Sequence, residues 1–474
     1  MRLIMIPLRL SILSMESFGS HISDLIMKLV FLAQDPSTKN FNAHYLQPIC
    51  RYLEHALESY LPSGIADEVC NKLQTYILNT KALLDKCYYL CNNKWDEKFA
   101  KFVMEVIVEL LYAIFPSQVT KFEFSMLKLN SHTPYLHVIT ENYLNRILSN
   151  LTKLKSITLI NDYQRFIVTF DFKQMKELRE FTFTGCNNEI LKQLSSCQQK
   201  LVKINVKNSI FVTDDCVNTI LSCKHLQYLD ITNTQISEKG VTRLIKGLSD
   251  SVDGHSLKVF KSSLMEEQIL TLSECFPNLV SLEVCLDKQY SLKPLNILKN
   301  LKSLSVSGDC QFSVLFDKVL QEIGKQLRDL ILKHVKRIEW NCIVENCSRL
   351  EKLGLLYTSE EQIPDNIQLE FPSVRCCELN VDDITNIFYI QLVLSRLVNL
   401  RRLNLHFCKW FNFSDLCMCL SKMMSRLDVI EIAGNSLYFH GDYIVVLKDD
   451  GPTQITNKWN LINVMSDIIN KHMV

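Results

Sequence analysis

The chain has 474 residues, and Lys+Arg 52 against Asp+Glu 51 leaves a net charge of +1. That balance gives no electrostatic reason to expect nucleic acid or an anionic membrane as the main partner. A hydrophobic content of 47% excludes global disorder. The 18 cysteines are scattered, with no Cys-x-x-Cys pair. In a chain this long they read as reduced core thiols in an intracellular setting, cytoplasmic or nuclear, rather than as a disulfide scaffold.

In chain order, residues 1–14 are apolar but interrupted by Pro7 and Arg9, with no small-residue cleavage site behind them. They are expected to be a disordered extension. Residues 15–115 read as a helical region. Apolar residues recur at helical spacing over Ile22–Leu32, Tyr45–Leu57, Ile65–Leu78 and Trp95–Ile114. The last is apolar nearly all round its second half, which implies burial against neighbouring elements. No apolar run of about 20 residues exists, so no membrane span is expected.

From 116 to 440 one pattern returns, Leu-x-x-Leu-x-Leu. A weak first copy is Val119-Phe122-Phe124. It continues at Leu154-Ile157-Leu159, Leu178-Phe181-Phe183, Leu201-Ile204-Val206, Leu226-Leu229-Ile231 and Leu257-Phe260. Further copies are Leu279-Leu282-Val284, Leu301-Leu304-Val306, Leu327-Leu330-Leu332, Leu350-Leu353-Leu355, Val374-Cys377-Leu379, Leu400-Leu403-Leu405 and Leu427-Ile430-Ile432. From Leu154 onward the steps are 24, 23, 25, 31, 22, 22, 26, 23, 24, 26 and 27. This is the period of a leucine-rich repeat. The long step contains the polar insertion Ser249–Ser256. Each repeat is expected to supply a short strand, with its Leu residues in the core and the residues between them on the concave face. The chain then returns on the convex side, helically in Asp214–Leu221 and Glu238–Leu248, with Asp214 and Ser237 as N-caps. Beyond 440 a last strand at Tyr443–Leu447, a turn at Gly451-Pro452 and a helix at Trp459–Ile469 form an expected C-terminal cap over 441–474.

The segment from Phe211 to Leu226 (FVTDDCVNTILSCKHL) and Ile236–Val241 (ISEKGV) resemble the cysteine-containing subclass of leucine-rich repeat. Cys197, Cys223, Cys275 and Cys347 shortly precede the leading residues of the next repeats. Pro277 and Pro372 lie two residues before Leu279 and Val374, and Cys186, Cys408 and Asn435 stand at the turn after a strand. The resemblance covers about residues 116–440. It implies an α/β leucine-rich-repeat solenoid, a horseshoe of about 12–13 repeats with an α-helical N-terminal cap. It also implies kinship with substrate receptors of cullin–RING ubiquitin ligases, F-box proteins above all.

Such receptors carry an adaptor-binding module ahead of the repeats. An F-box opens on Leu-Pro and runs to a Trp; Leu61-Pro62 and Trp95 are present, without its hydrophobic spacing between them. The stretch from Tyr45 through Leu46, Cys50 and Leu53 to Leu61-Pro62 resembles the box that binds the elongin B/C adaptor, with Leu and Cys four apart on one helix face. Tyr45 and Glu54 depart from that box, and Pro48 fits a helix only in its first turn. The alternative is that Leu46, Cys50 and Leu53 face the core of a plain helical cap over the first repeat.

The sequence contains no phosphate-binding glycine loop, nucleophile elbow or zinc-spaced Cys/His set. Cys376-Cys377 and Cys417-Met-Cys419 read as core packing rather than metal ligands. No catalytic residue, metal or cofactor is therefore expected. The strand phase places Lys203, Asn205, Tyr228, Asp230, Glu283, Asp329, Lys333, Lys352, Arg402, Asn404, His406 and Glu431 on the concave face, a mixed surface suited to a protein ligand. Phe407, Trp410 and Phe411 crowd the same end as Arg402 and His406. The expected protein is a non-catalytic monomer. It is read as a substrate-recognition subunit using elongin B/C or a Skp-type adaptor and a cullin, or else as a scaffold with no ligase link.

Overall fold

The computed structural model describes residues 19–28, 47–61, 63–90, 97–125, 136–160, 172, 174–194, 197, 199–250, 256–286, 290–316, 318–357, 370–380, 393–406, 427–432, 435–440, 443–447 and 454–457. The chain divides into two compact units, the boundary lying between Gly240 and Val241. The expected extension at 1–14, the insertion core at 251–255, the turn at Gly451-Pro452 and the helix at Trp459–Ile469 lie outside the described residues.

The first unit begins with helices α1 (Gln47–Tyr60), α2 (Ser63–Leu90) and α3 (Glu97–Ala113), and residues 19–28 are helical as well. Helix 19–28 leans on α2, where Thr80 Oγ1 donates to Ser23 Oγ at 2.7 Å. Helix α1 packs on α3, and the Gln118 side chain binds carbonyls at its C-terminal end. Gln118 Nε2 donates to Leu61 O at 2.9 Å and to Leu57 O at 3.3 Å. Strands β1 (Lys121–Ser125), β2 (Ser156–Ile160), β3 (Glu180–Thr184), β4 (Lys203–Asn205) and β5 (Tyr228–Asp230) follow, each parallel to the one before. Between β1 and β2 runs helix α4 (Leu136–Asn150), which the sequence reading did not single out. It is tied to α3 by Arg146, 2.6 Å from Glu109 and stacked over the Tyr112 ring. A chain of rings, Phe115, Phe122, Phe124 and Tyr143, with centroids 5.0, 6.1 and 5.6 Å apart, joins the helices to the first repeat's core.

The second unit holds eight further parallel strands. They are β6 (Val259–Ser263), β7 (Ser281–Cys285), β8 (Ser303–Gln311), β9 (Asp329–Lys336), β10 (Lys352–Leu356), β11 (Cys376–Asn380), β12 (Arg402–His406) and β13 (Val429–Ile432). Strands β14 (Asn435–His440), β15 (Tyr443–Leu447) and β16 (Gln454–Asn457) then add antiparallel. The strand expected at Tyr443–Leu447 is thus present, but it lies within an antiparallel meander that extends the sheet.

All thirteen recurrent leading positions, from Val119 to Leu427, are 0–3% exposed. The apolar strand residues at the following motif positions, from Phe122 and Phe124 to Ile430, are buried in turn, in a core of stacked apolar layers. This is the α/β leucine-rich-repeat solenoid that the period implies. The returns are helical at Asn188–Gln193, Val217–Leu221, Glu238–Ser249, Glu266–Cys275 and Trp340–Asn346, among others. Ser237 caps its helix, accepting from Gly240 N at 3.2 Å. Asp214 does not act as expected. Thr213 caps that turn, and the Asp214 carboxylate instead reaches across one repeat to Ser237 N and Oγ at 2.8 and 2.5 Å. Gly240 is required beside it, because a Cβ there would run into the Asp214 carboxylate.

Adjacent repeats are laced by one recurring arrangement. Within each unit, two successive N–H groups at the start of a parallel strand donate to a single carbonyl of the preceding repeat. Lys155 N and Ser156 N both donate to Thr120 O, at 2.7 and 3.0 Å, and Arg179 N and Glu180 N to Lys155 O. The same pairing recurs in the second unit, from Val280 N and Ser281 N on Lys258 O to Asp428 N and Val429 N on Arg401 O. At β1 no earlier repeat exists. There the Asp67 carboxylate of α2 supplies the acceptor: Oδ1 takes Thr120 N at 2.8 Å and Lys121 N at 3.0 Å, while Oδ2 takes the Thr120 hydroxyl at 2.6 Å.

Two outcomes follow. Asp67→Ala leaves two strand-initiating amides without their acceptor and is expected to cost about 1–3 kcal/mol. Hydrogen exchange should speed up at Thr120 and Lys121 before it changes in β3. Leu330 is fully buried, and Leu330→Ala should cost about 2–5 kcal/mol in urea unfolding.

Candidate functional site

The side chains that stand between the buried positions of each strand form the open face of the sheet. In the first unit Lys203 lies 3.9 Å from Glu180 and 5.1 Å from the centroid of the Tyr228 ring. Asn205 and Asp230 are placed differently from expectation. They are 9% and 3% exposed, and their carboxamide and carboxylate oxygens accept from Lys207 N and Thr232 N, both at 3.1 Å. They close the turn after the strand and present little to a partner. Three residues further on, Asn208 and Asn233 adopt positive φ (59° and 55°), and Asn233 Nδ2 donates to Asn208 Oδ1 at 2.9 Å. Asn tolerates that conformation better than most residues, which accounts for its place in these turns.

The second unit carries a chain of ion pairs across its strands. Glu283 on β7 is held by Lys261 of β6 at 2.9 Å and by Lys333 of β9 at 2.8 Å. Lys333 passes over β8, where Ser305 and Ser307 are small enough to let it through. Burial pushes the Glu283 carboxyl up, but the two lysines outweigh it and the group titrates below its ordinary value. Asp329 is affected in the opposite sense: burial raises it, against the Lys352 charge and a bond from Ser303. Lys352 then binds Glu378 at 2.8 Å, and His406 Nε2 lies 3.0 Å from the same carboxylate. The His406 hydrogen bond, with Lys352 against the opposing effect of burial, holds Glu378 down at about 2. Arg402 lies 4.0 Å from Glu431. Asn404 Oδ1 and Ser305 Oγ are buried without a hydrogen-bond partner among the described residues.

The strand phase therefore brings Glu283, Asp329, Lys333, Lys352, Arg402, Asn404, His406 and Glu431 onto one surface of the second unit. Lys261 and Glu378, which complete the network, were missed although they stand at the same outward position of Leu257-Phe260 and Cys377-Leu379. Phe407, Trp410 and Phe411 lie outside the described residues, as do Leu46 and Pro62 in the helical region. Cys50, Leu53 and Leu61 are 8%, 6% and 4% exposed, turned into the helical core. The outward side of α1 is formed instead by Arg51, Tyr52 (47% exposed) and His55.

Thirteen described cysteines are free thiols. Burial pushes Cys216, Cys223 and Cys347 up to about 12 and Cys377 higher still, so these thiols stay protonated and pack as small apolar groups. Cys408 and the Cys417–Cys419 pair lie outside the described residues. Among the described residues no group of His, Cys, Asp or Glu is placed to hold a metal ion, and no helix is long and apolar enough to cross a membrane.

No protein-family model matches the chain, and no curated protein matches it. Solved structures do. The yeast Rad7–Elc1 complex is 16% identical, over 77% of this chain and 93% of that one, with a TM-score of 0.41. An internalin of Listeria monocytogenes is 14% identical over 56% and 78%, at 0.33, and a leucine-rich-repeat protein of Leptospira interrogans is 16% identical over 69% and 91%, at 0.30. At these scores the likenesses carry no weight for function.

Glu378 gives a pH test. Its folded value lies below the unfolded carboxylate value, so its stabilisation is fully present above about 4.5 and is lost as pH falls towards about 2. Urea unfolding across that window should show a steep acid limb in the wild type that is shallower in Glu378→Gln.

Proposed function

We propose that this protein is a non-catalytic recognition subunit that binds a protein on the open face of its repeats and recruits it to a cullin–RING ubiquitin ligase. The observation that supports the binding role is the cross-strand network from Lys261 to Glu431. It offers charged groups of both signs, already oriented by one another, on a surface lined by the outward positions of successive strands. Preoriented charges favour specificity over bulk affinity. Repeat solenoids present extended surfaces of this kind. The ligase link rests on the sequence resemblance at 211–226 and on the box-like run from Leu46 to Pro62.

In this reading the adaptor, elongin B/C or of Skp type, meets the start of α1 around Leu46 and the outward residues Arg51 and Tyr52. Cys50, Leu53 and Leu61 hold α1 to the helical core rather than forming the contact. Their burial also favours the second reading, a scaffold protein whose helical region only closes the first repeat.

Reconstitution separates the two. The full chain is mixed with purified elongin B/C, and separately with a Skp-type adaptor, and run on gel filtration. Co-elution with one of them, lost in Leu46→Arg at unchanged circular dichroism, is the expected result. Absence of co-elution with both would leave the scaffold. Cys50→Ala is expected to weaken the fold through a cavity and serves as the control for loss by unfolding.

A further inference from the structure

The second unit has another charged surface, away from the open face, at the rim where the strands begin. The residues immediately before these strands stand exposed along that rim, and at Arg328, Glu351, Arg375 and Arg401 the carbonyl of the same residue laces the repeats. From β9 to β13 these residues are Arg328, Glu351, Arg375, Arg401 and Asp428. With Arg349 they line a groove of about 790 Å³. All four arginines are exposed.

The charges do not balance. Four guanidiniums face two carboxylates, in a chain whose net charge is only +1. Glu351 lies 3.2 Å from Arg328, and Asp428 lies 3.5 Å from Arg401. Among the described residues Arg349 and Arg375 have no carboxylate partner. The groove therefore already pairs guanidiniums with carboxylates at its two ends and holds two unneutralised arginines between them.

Its length adds a second constraint. Five successive strand starts, about 4.8 Å apart, span about 19 Å, which an extended peptide covers in about six residues at about 3.3 Å each. A single small ion would leave most of that length empty. The guanidinium is planar and offers paired donors, so it matches carboxylates in a fixed geometry.

We propose that this rim groove binds an acidic, Asp/Glu-rich peptide segment in extended form, with its carboxylates on Arg349 and Arg375. The site is separate from the open face and does not depend on the ligase reading: a chain that recruits no adaptor would still carry it.

The test uses the full chain and a fluorescein-labelled octapeptide of alternating Glu and Ser, read by fluorescence anisotropy. The peptide should bind at low salt and weaken as salt rises, since exposed charges are screened. Arg349→Glu/Arg375→Glu should weaken it roughly tenfold or more. Lys153→Glu, at an exposed position in the other unit, should leave binding unchanged. If the double variant fails to fold by circular dichroism, Arg375→Gln takes its place and should weaken binding about threefold. Equal affinity for wild type and variants would overturn the proposal, as would no binding at all. Binding confined to the same peptide with its serines phosphorylated would overturn it too, and would make a phosphopeptide the occupant.

Discussion

Within each unit the repeats begin with two backbone N–H groups that need an acceptor, and in a parallel stack the preceding repeat supplies it. Lys155 and Ser156 find Thr120 O, and the arrangement repeats towards Arg401 O. The first repeat has no such neighbour, and buried or half-buried donors left unpaired are costly. Asp67 resolves this by placing one carboxylate oxygen where a carbonyl would otherwise stand. A helical side chain thus takes the role of a missing repeat. The aromatic chain from Phe115 to Tyr143 covers the apolar side of the same junction. Hydrogen bonding and apolar burial at the first repeat are therefore both satisfied from the helical region.

With the core fixed by the buried positions, the outward positions are free to carry charge. They do so unevenly. In the first unit the outward residues are largely spent locally: Asn205 and Asp230 close turns, and Lys203 rests over Tyr228. In the second unit they reach across strands, and Glu283 and Glu378 each bind two partners. A carboxylate shared between two partners is both held in place and partly desolvated, which is why its protonation and the stability of the sheet are linked.

The open face and the arginine rim are two consequences of one geometry. A residue one position ahead of the strand points along the rim, and residues inside the strand alternate between core and open face. The same stacking that aligns Glu283 with its lysines also aligns Arg375 with Arg401, one strand apart, so like charges accumulate wherever successive repeats place Arg before the strand.

The sequence by itself determined the repeat, its period, the thirteen strand positions and the apolar residues that form the core. This is because alternation along a strand is a local property of the chain. It also located the helices before the repeats and most of the outward residues, from Glu283 to Glu431. Tertiary structure alone decided what those residues do. Asp230 and Asn205 share their phase with Lys261 and Glu378, yet the first two turn inward to backbone amides while the last two bridge strands. Asp214 has the pattern of an N-cap but serves the next repeat instead. Asp67 carries no local signal at all, since its partners lie more than fifty residues away. Cys50 and Leu53 have the spacing of an adaptor contact, but which side of a helix faces the core depends on the helix packed against it. Such pairings depend on distances between repeats and between helices, which periodicity does not encode.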